Sequence, residues 1–287
     1  MSIEIKNLAF TYNKGAAFEK KVLDDINLTI GRGEFVGLIG RTGSGKSTLI
    51  QQLNALLKPD GGTVVIDGFN IHSDKSKLKE VRQKVGLVFQ YPEHQLFEAT
   101  VEADVAFGPG NLGIAKEEVD ERVRWALDVV GLAPELAAKS PFDLSGGQKR
   151  RAAIAGVLAM RPQILILDEP AAGLDPAGRD EILEKIREMH NRLGITVILV
   201  SHSMEDIARL VNRIIVINYG KIAMDGPPES VFSRPHVLEE MGLSAPQAAR
   251  LAFALREKGF EVPEGLTTVD EVVEAVIRVV NPERGNK

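Results

Sequence analysis

An α/β fold built on parallel strands with crossover helices is what the sequence predicts, with a β-rich N-terminal region, an inserted helical subdomain and a small C-terminal helical appendage. Three observations carry that expectation. The apolar run Glu34–Ile39 closes in glycine and leads through a glycine-rich loop into a helix-compatible stretch, giving strand, loop and helix in order. Strand-like runs recur at Ile164–Leu167, Thr196–Val200 and Ile214–Ile217, with helical spacing over Arg179–Leu193 between the first two, and this alternation makes a parallel sheet. After Gly226-Pro227-Pro228 the pattern changes to short helical pieces.

From the N-terminus, alternating apolar positions in Ile3-Glu4-Ile5 and around Ile26–Ile30 predict half-exposed strands, and Gly31-Arg32-Gly33 predicts a turn. The helix after the glycine-rich loop is expected over Lys46–Leu57, stopped by Pro59-Asp60-Gly61-Gly62. From about Ala99 to Met160 the pattern is mainly helical. Within it, Glu117–Val130 carries Val119, Val123, Ala126, Leu127 and Val130 at helical spacing. A helical subdomain over about 91–160 is the expectation. Pro246–Lys258 and Val269–Val280 read as helices, broken by Gly259 and Pro263. The expected organisation is a large α/β domain over 1–229 and a helical appendage over 230–287, with no internal repeat.

At 287 residues, 44% hydrophobic and 26% charged, the chain has the balance of a globular protein with a sizeable core. Its formal net charge of -5 gives no overall electrostatic reason to seek nucleic acid or anionic lipid. The lack of cysteine removes disulfides, thiolate metal sites and a cysteine nucleophile. The start, Met1-Ser2-Ile3-Glu4-Ile5-Lys6, lacks the order of a secretion signal. Apolar stretches such as Ala152–Met160 and Ile195–Val200 fall short of the ~20 residues that cross a bilayer as a helix. No direct membrane span is expected, so a role at a membrane requires other chains.

The chemistry begins at Gly40-Arg41-Thr42-Gly43-Ser44-Gly45-Lys46-Ser47-Thr48, which fits the GxxxxGK[ST] phosphate loop and has the required strand before it and helix after it. Glycines let several N–H groups face one anion, and the helix N-terminus adds a favourable potential. Lys46 would reach the β and γ phosphates of a nucleotide, most naturally ATP, and Ser47 would offer a hydroxyl to Mg²⁺. Asp168 and Glu169 end an apolar run at the ligand edge of the sheet. There Asp168 can hold the Mg²⁺ shell and Glu169 can accept a proton from attacking water. His202 follows the strand Thr196–Val200 and should emerge at the same edge, where it is either structural or a donor that orients the water. Leu144-Ser145-Gly146-Gly147-Gln148 precedes a helix-compatible stretch and reads either as a serine N-cap with a tight turn or as a second anion site.

In this order, the phosphate loop, Gln90, Leu144–Gln148, Asp168-Glu169, Gly173-Leu174-Asp175 and His202 resemble the nucleotide-binding subunit of the ATP-binding-cassette family, over about residues 1–230. The resemblance implies a head-to-tail pair of subunits in which Ser145, Gly146, Gly147 and Gln148 contact nucleotide held by the partner's phosphate loop. It also implies that Tyr12 stacks on adenine, that Gln90 contacts Mg²⁺ and senses the transport partner, and that Asp175 couples the two sites. Ala171 departs from the family's usual threonine, while both carboxylates remain.

A narrower resemblance lies in Phe89–Glu98, Phe107-Gly108-Pro109, Gly147–Arg151 and the C-terminal tail, which look like an ATPase of the energy-coupling-factor transporters. It implies uptake of a vitamin or transition-metal ion, a membrane scaffold subunit, a membrane substrate-capture subunit and a peripheral position on the cytoplasmic face. Asp168–Asp175 looks closer to the second of that family's paired ATPases, which implies a heterodimer, with a homodimer as the alternative. Glu93 and Glu98 are read either as receivers of basic scaffold groups or as solvated charges. Rival readings are the ATPase of another importer and a soluble ATPase acting on nucleic acid. The latter type carries a long coiled coil between phosphate loop and signature, and no sustained heptads separate Lys46 from Ser145.

Overall fold

The first strand, β1 (Ile3–Tyr12), pairs antiparallel with β2 (Lys20–Ile30), Ile5 standing opposite Leu28 in a computed structural model that describes residues 3–280. Where the ladder slips, Asn7 and Asp25 take left-handed backbone and the Asn7 amide donates to Asp25 Oδ1 at 2.8 Å. These are residue types that tolerate that conformation. Strand β3 (Phe35–Ile39), buried throughout, leads into α1 (Lys46–Leu53). This helix is shorter than predicted. Ala55 turns left-handed and the N–H groups of Leu56 and Leu57 donate to the Gln51 carbonyl, which closes the helix before Leu57.

Then follow β4 (Gly61–Ile66), β5 (Phe69–Asn70), α2 (Leu78–Lys84) and β6 (Val85–Val88), none of which periodicity assigned. Strands of two and four residues are too short to display a period. Helices α3 (Val101–Asn111), α4 (Lys116–Val129) and α5 (Gly146–Leu158) pack on one another, as the helical stretch led us to expect. Next come β7 (Ile164–Asp168), α6 (Pro176–Leu193), β8 (Thr196–Val200), α7 (Met204–Leu210), β9 (Arg213–Asn218) and β10 (Lys221–Gly226). Helix α6 starts earlier than its periodicity suggested, because Asp175 caps it and Pro176 opens its first turn.

The described residues form a four-stranded antiparallel sheet, β2-β1-β4-β5, and a six-stranded sheet, β10-β9-β3-β8-β7-β6, parallel from β9 to β6. Alternate residues of the larger sheet enter two cores. Leu165, Leu167, Val197 and Leu199 pack with the inserted helices, while Ile164, Ile166, Ile198 and Val200 pack with α1 and the antiparallel sheet. Covering both faces of the parallel strands explains why their sequences are apolar throughout.

The described residues end in α8 (Pro228–Phe232), α9 (Pro235–Glu240), α10 (Gln247–Glu257) and α11 (Val269–Val280). Val231, Phe232, Leu238 and Leu243 join the large core, whereas Ala248, Ala252, Val262, Val272 and Ala275 make a small core of their own. Among the described residues no helix is long and apolar enough to cross a membrane.

Candidate active site

Strands β3, β8, β7 and β6 are consecutive neighbours and parallel, so the loops after them leave from one edge. Those loops begin at Gly40, Ser201, Glu169 and Phe89, and they carry the phosphate loop, His202, the acidic pair and Gln90. The carboxyl edge of a parallel sheet is where such folds bind ligands.

Close approach dictates the glycines of the loop. A Cβ on Gly40 would lie 2.3 Å from the Ile217 carbonyl oxygen, and one on Gly45, at φ 114°, would lie 2.9 Å from the Val22 carbonyl oxygen. Lys46 is buried and folds back across the loop, donating to the carbonyls of Gly40 at 2.6 Å and Arg41 at 3.4 Å. Burial lowers its pKa, against the opposing pull of Glu169 and Asp168. The buried Ser44 hydroxyl has no hydrogen-bond partner among the described residues, and Arg41, Thr42, Gly43 and Ser47 are exposed. Tyr12 sets its ring edge-on to Phe10 and its hydroxyl 3.3 Å from Thr48 Oγ1. With Lys20, Val22, Gly43, Gly45, Lys46, Ser47 and Thr48 it lines a cavity of about 210 Å³.

Asp168 is the last residue of β7 and stands beside the Ser47 side chain. Burial raises its pKa, with Lys46 and Ser47 opposing. Glu169 takes left-handed backbone, φ 52°, and its N–H donates to the Val200 carbonyl at 3.0 Å. Its Oε1 is buried without a hydrogen-bond partner among the described residues. Burial first and Asp168 second push this carboxyl up to about 7, against Lys46 and the His202 backbone N–H. His202 Nε2 lies 3.7 Å from Glu169 Oε1, too far for a hydrogen bond. Burial and Lys46 push the imidazole below its ordinary value. The ring is therefore neutral at neutral pH, and the contact is not an ion pair.

The remaining predicted residues make no hydrogen bond to this cluster among the described residues. Ser145 caps α5, its hydroxyl accepting from the Gln148 N–H at 3.3 Å while Gln148 Oε1 accepts from the Ser145 N–H at 3.0 Å. Ser145 and Gly146 are exposed, Gly147 and Gln148 half-buried, and none of them lines the phosphate-loop cavity. Asp175 caps α6 through the Gly178 N–H at 3.0 Å, and Gln90 is exposed beyond β6.

Glu93 differs from both readings made of it. It is neither a free receiver nor a solvated charge, because the guanidinium of Arg150 grips both of its oxygens, at 2.6 and 3.1 Å. Sequence reasoning passed over Arg150 as one of three consecutive basic residues. The available signal was its phase, since it precedes the buried Ile154 and Leu158 by four and eight positions.

The ABC transporter family model matches residues 23–172, a span holding the phosphate loop, Gln90, Ser145–Gln148, Asp168 and Glu169. The chain is 56% identical, over all of its length and 99% of the relative's, to the energy-coupling factor transporter ATP-binding protein EcfA2 of Caldanaerobacter subterraneus subsp. tengcongensis. It belongs to the energy-coupling-factor ATP-binding proteins of the ABC transporter family. The EcfA2 of Clostridium tetani is 53% identical over the full length of both chains. Among solved structures, cbiO1 of Clostridium perfringens, described as part of the ABC transporter complex cbiONQ, matches with TM-score 0.74 and 38% identity, covering 87% of this chain and 97% of that one. The ATP-binding cassette MJ0796, solved as a dimer bound to ADP and Pi, matches with TM-score 0.69 and 31% identity over 78% of this chain and 98% of that one. The energy-coupling-factor ATPase therefore has the fold expected of it. Tyr12, Asp175 and His202 fall outside the 23–172 match.

Proposed function

We propose that this energy-coupling-factor ATPase hydrolyses ATP at sites shared between two subunits and so drives uptake of a vitamin or transition-metal ion. One observation carries the reading. Lys46, Ser47, Asp168, Glu169 and His202 converge at one sheet edge, while Ser145–Gln148 form an exposed, self-capped helix start outside that cavity. Such a start is available to nucleotide held by a second subunit.

The residues have separable tasks. Backbone N–H groups from Gly43 to Thr48 and the α1 terminus cradle the phosphates, and Tyr12 offers its ring to the base. Lys46 leaves the Gly40 and Arg41 carbonyls for the β and γ phosphates. Glu169 takes the proton of the attacking water, and neutral His202 holds that water by hydrogen bonding. The donors fit Mg²⁺: the Ser47 hydroxyl and the Asp168 carboxylate are neighbouring hard oxygen ligands. Among the described residues no cluster of three or more acidic, His or Cys side chains forms a cage, as expected for an ion that shares its ligands with phosphate. Ser47, Asp168 and Gln90 would hold it, and when bound it neutralises charge on the phosphate oxygens.

The unit over 1–229 is assigned to nucleotide and the unit over 230–287 to dimerisation, supported by exposed Val269, Val273 and Ile277 on α11. The partner is a second, non-identical ATPase, with two copies of this chain as the other arrangement. Asp175, at the head of α6, is assigned to coupling between the paired sites. The pair sits peripherally on the cytoplasmic face, docked on a membrane scaffold that also holds a substrate-capture subunit. Tagged chain extracted from membranes in detergent should carry a scaffold protein and a small membrane protein with it. Recovery of soluble partners alone, or hydrolysis stimulated by DNA, would overturn the transport reading.

A further inference from the structure

One side chain ties the loop after β6 to the segment after Glu169. Arg150 is 1% exposed and stands in the first turns of α5. Its Nε and Nη2 donate to Glu93 at 3.1 and 2.6 Å, and its Nη1 donates to the carbonyls of Pro170 at 2.9 Å and Ala172 at 2.7 Å. The planar fork of arginine reaches these acceptors together, which the single ammonium of lysine cannot do. The ring of Tyr91 adds a second tie, because its Cε1 would lie 3.2 Å from a Cβ placed on Gly173.

Glu169 sits immediately before this clamped segment. Its left-handed backbone is strained for a residue with a side chain and persists only where the surroundings enforce it. The Val200 carbonyl holds its N–H at 3.0 Å, and the Arg150 bond to the Pro170 carbonyl holds the next residue. A conformation pinned at both ends keeps the carboxyl in its buried place beside His202.

We propose that Arg150 is a positioning residue for Glu169, with Glu93 as its anchor, so that the Arg150–Glu93 pair carries the position of the Gln90–Glu98 segment to the carboxyl that accepts the proton. The proposal rests on the reading of Glu169 as general base. It makes the segment beside Gln90 a control on hydrolysis without contact between that segment and nucleotide. Misplacement of a catalytic group by about 1 Å can cost about a hundredfold in rate.

The test is hydrolysis by the full-length chain in its detergent-extracted complex. Glu93→Gln, which keeps shape and removes charge, should lower kcat about tenfold with ATP affinity held within about twofold. Arg150→Lys should lower kcat further, because one donor group replaces the fork. Glu93→Gln placed on Glu169→Gln should cause no additional fall in the residual rate, since both act through one carboxyl. A brace that merely holds the fold would instead lower ATP affinity and Tm together with the rate, and would add to the Glu169→Gln loss. That pattern, or an unchanged kcat in Glu93→Gln, overturns the proposal. Wild-type hydrolysis by Glu169→Gln alone would overturn the base assignment and the proposal with it, whereas inactive Glu169→Gln beside normal Glu93→Gln would overturn only the positioning role.

Discussion

The two sequence motifs proposed to face nucleotide are built in opposite ways. At the phosphate-loop edge, charged groups are buried, Ser44 and Glu169 hold partnerless polar atoms among the described residues, and the pKa values of Lys46, Asp168, Glu169 and His202 all move. At the head of α5, Ser145 and Gln148 satisfy one another in a reciprocal cap. Displaced pKa values gathered at one place are a mark of a functional site. A satisfied, exposed helix cap carries no such mark, so a site completed in trans is silent in the single chain. Its function depends on what a second surface brings to it.

The largest way to break this contrast is to remove its most perturbed group. Glu169→Gln should cut turnover by about a thousandfold or more while ATP still binds. It should also stabilise the folded chain. The carboxyl's folded pKa of about 7 stands above its ordinary 4.5, so the folded state binds the extra proton and stability falls as pH rises from about 4.5 to 7. Glutamine escapes that cost, a gain of about 1–3 kcal/mol at pH 8 that vanishes near pH 4. Thermal denaturation without nucleotide at the two pH values measures it, and an equal Tm shift at both would remove burial of the charge as the cause.

Ser145→Arg comes next, acting from the silent side. It places a bulky cation where the partner's nucleotide would lie, and assembled complex should lose about a hundredfold or more in hydrolysis while the isolated chain keeps its ATP affinity. Normal hydrolysis would show that the signature does not reach nucleotide in trans.

These effects also separate what sequence could and could not show. The phosphate loop, Asp168, Glu169 and His202 were legible because each sits where an apolar strand meets a loop, a local pattern that period and composition both register. The edge they share was legible through the βαβ alternation. Strands β5 and β6 were not, because runs of two and four residues have no period and β6 is buried on both sides. The Arg150–Glu93 pair was hidden for another reason. Its members are 57 residues apart, so only tertiary packing brings them together, and each alone reads as surface charge. Lys46 folding onto the Gly40 and Arg41 carbonyls was equally invisible, since the motif names the ligand-bound partner and not the resting one.

A smaller effect should appear in the pH profile. Glu169 must be ionised to accept a proton, and in the free chain it ionises at about 7. The value of kcat/KM, which reports the free enzyme, should therefore fall about tenfold per pH unit below 7 and level off above it. His202 protonates below its ordinary value, so any second slope belongs further into acid. A profile flat from pH 6 to 8 would deny Glu169 the role of base.

The smallest expected effect tests whether the cap and the ligand contact at Ser145 are one function or two. As an N-cap, the hydroxyl uses one lone pair to accept from the Gln148 N–H, which leaves its proton free for a phosphate oxygen. Ser145→Ala should thus lose about 1 kcal/mol of stability, a Tm drop of a few degrees, whether or not a partner is present. Ser145→Asp keeps a good cap but offers phosphate no donor and a repelling charge, so its Tm should return to that of the wild type while hydrolysis in the complex stays low. If Ser145→Asp restored hydrolysis along with Tm, the serine would be a cap and nothing more, and the contrast between the two motifs would reduce to one active edge and one ordinary helix start.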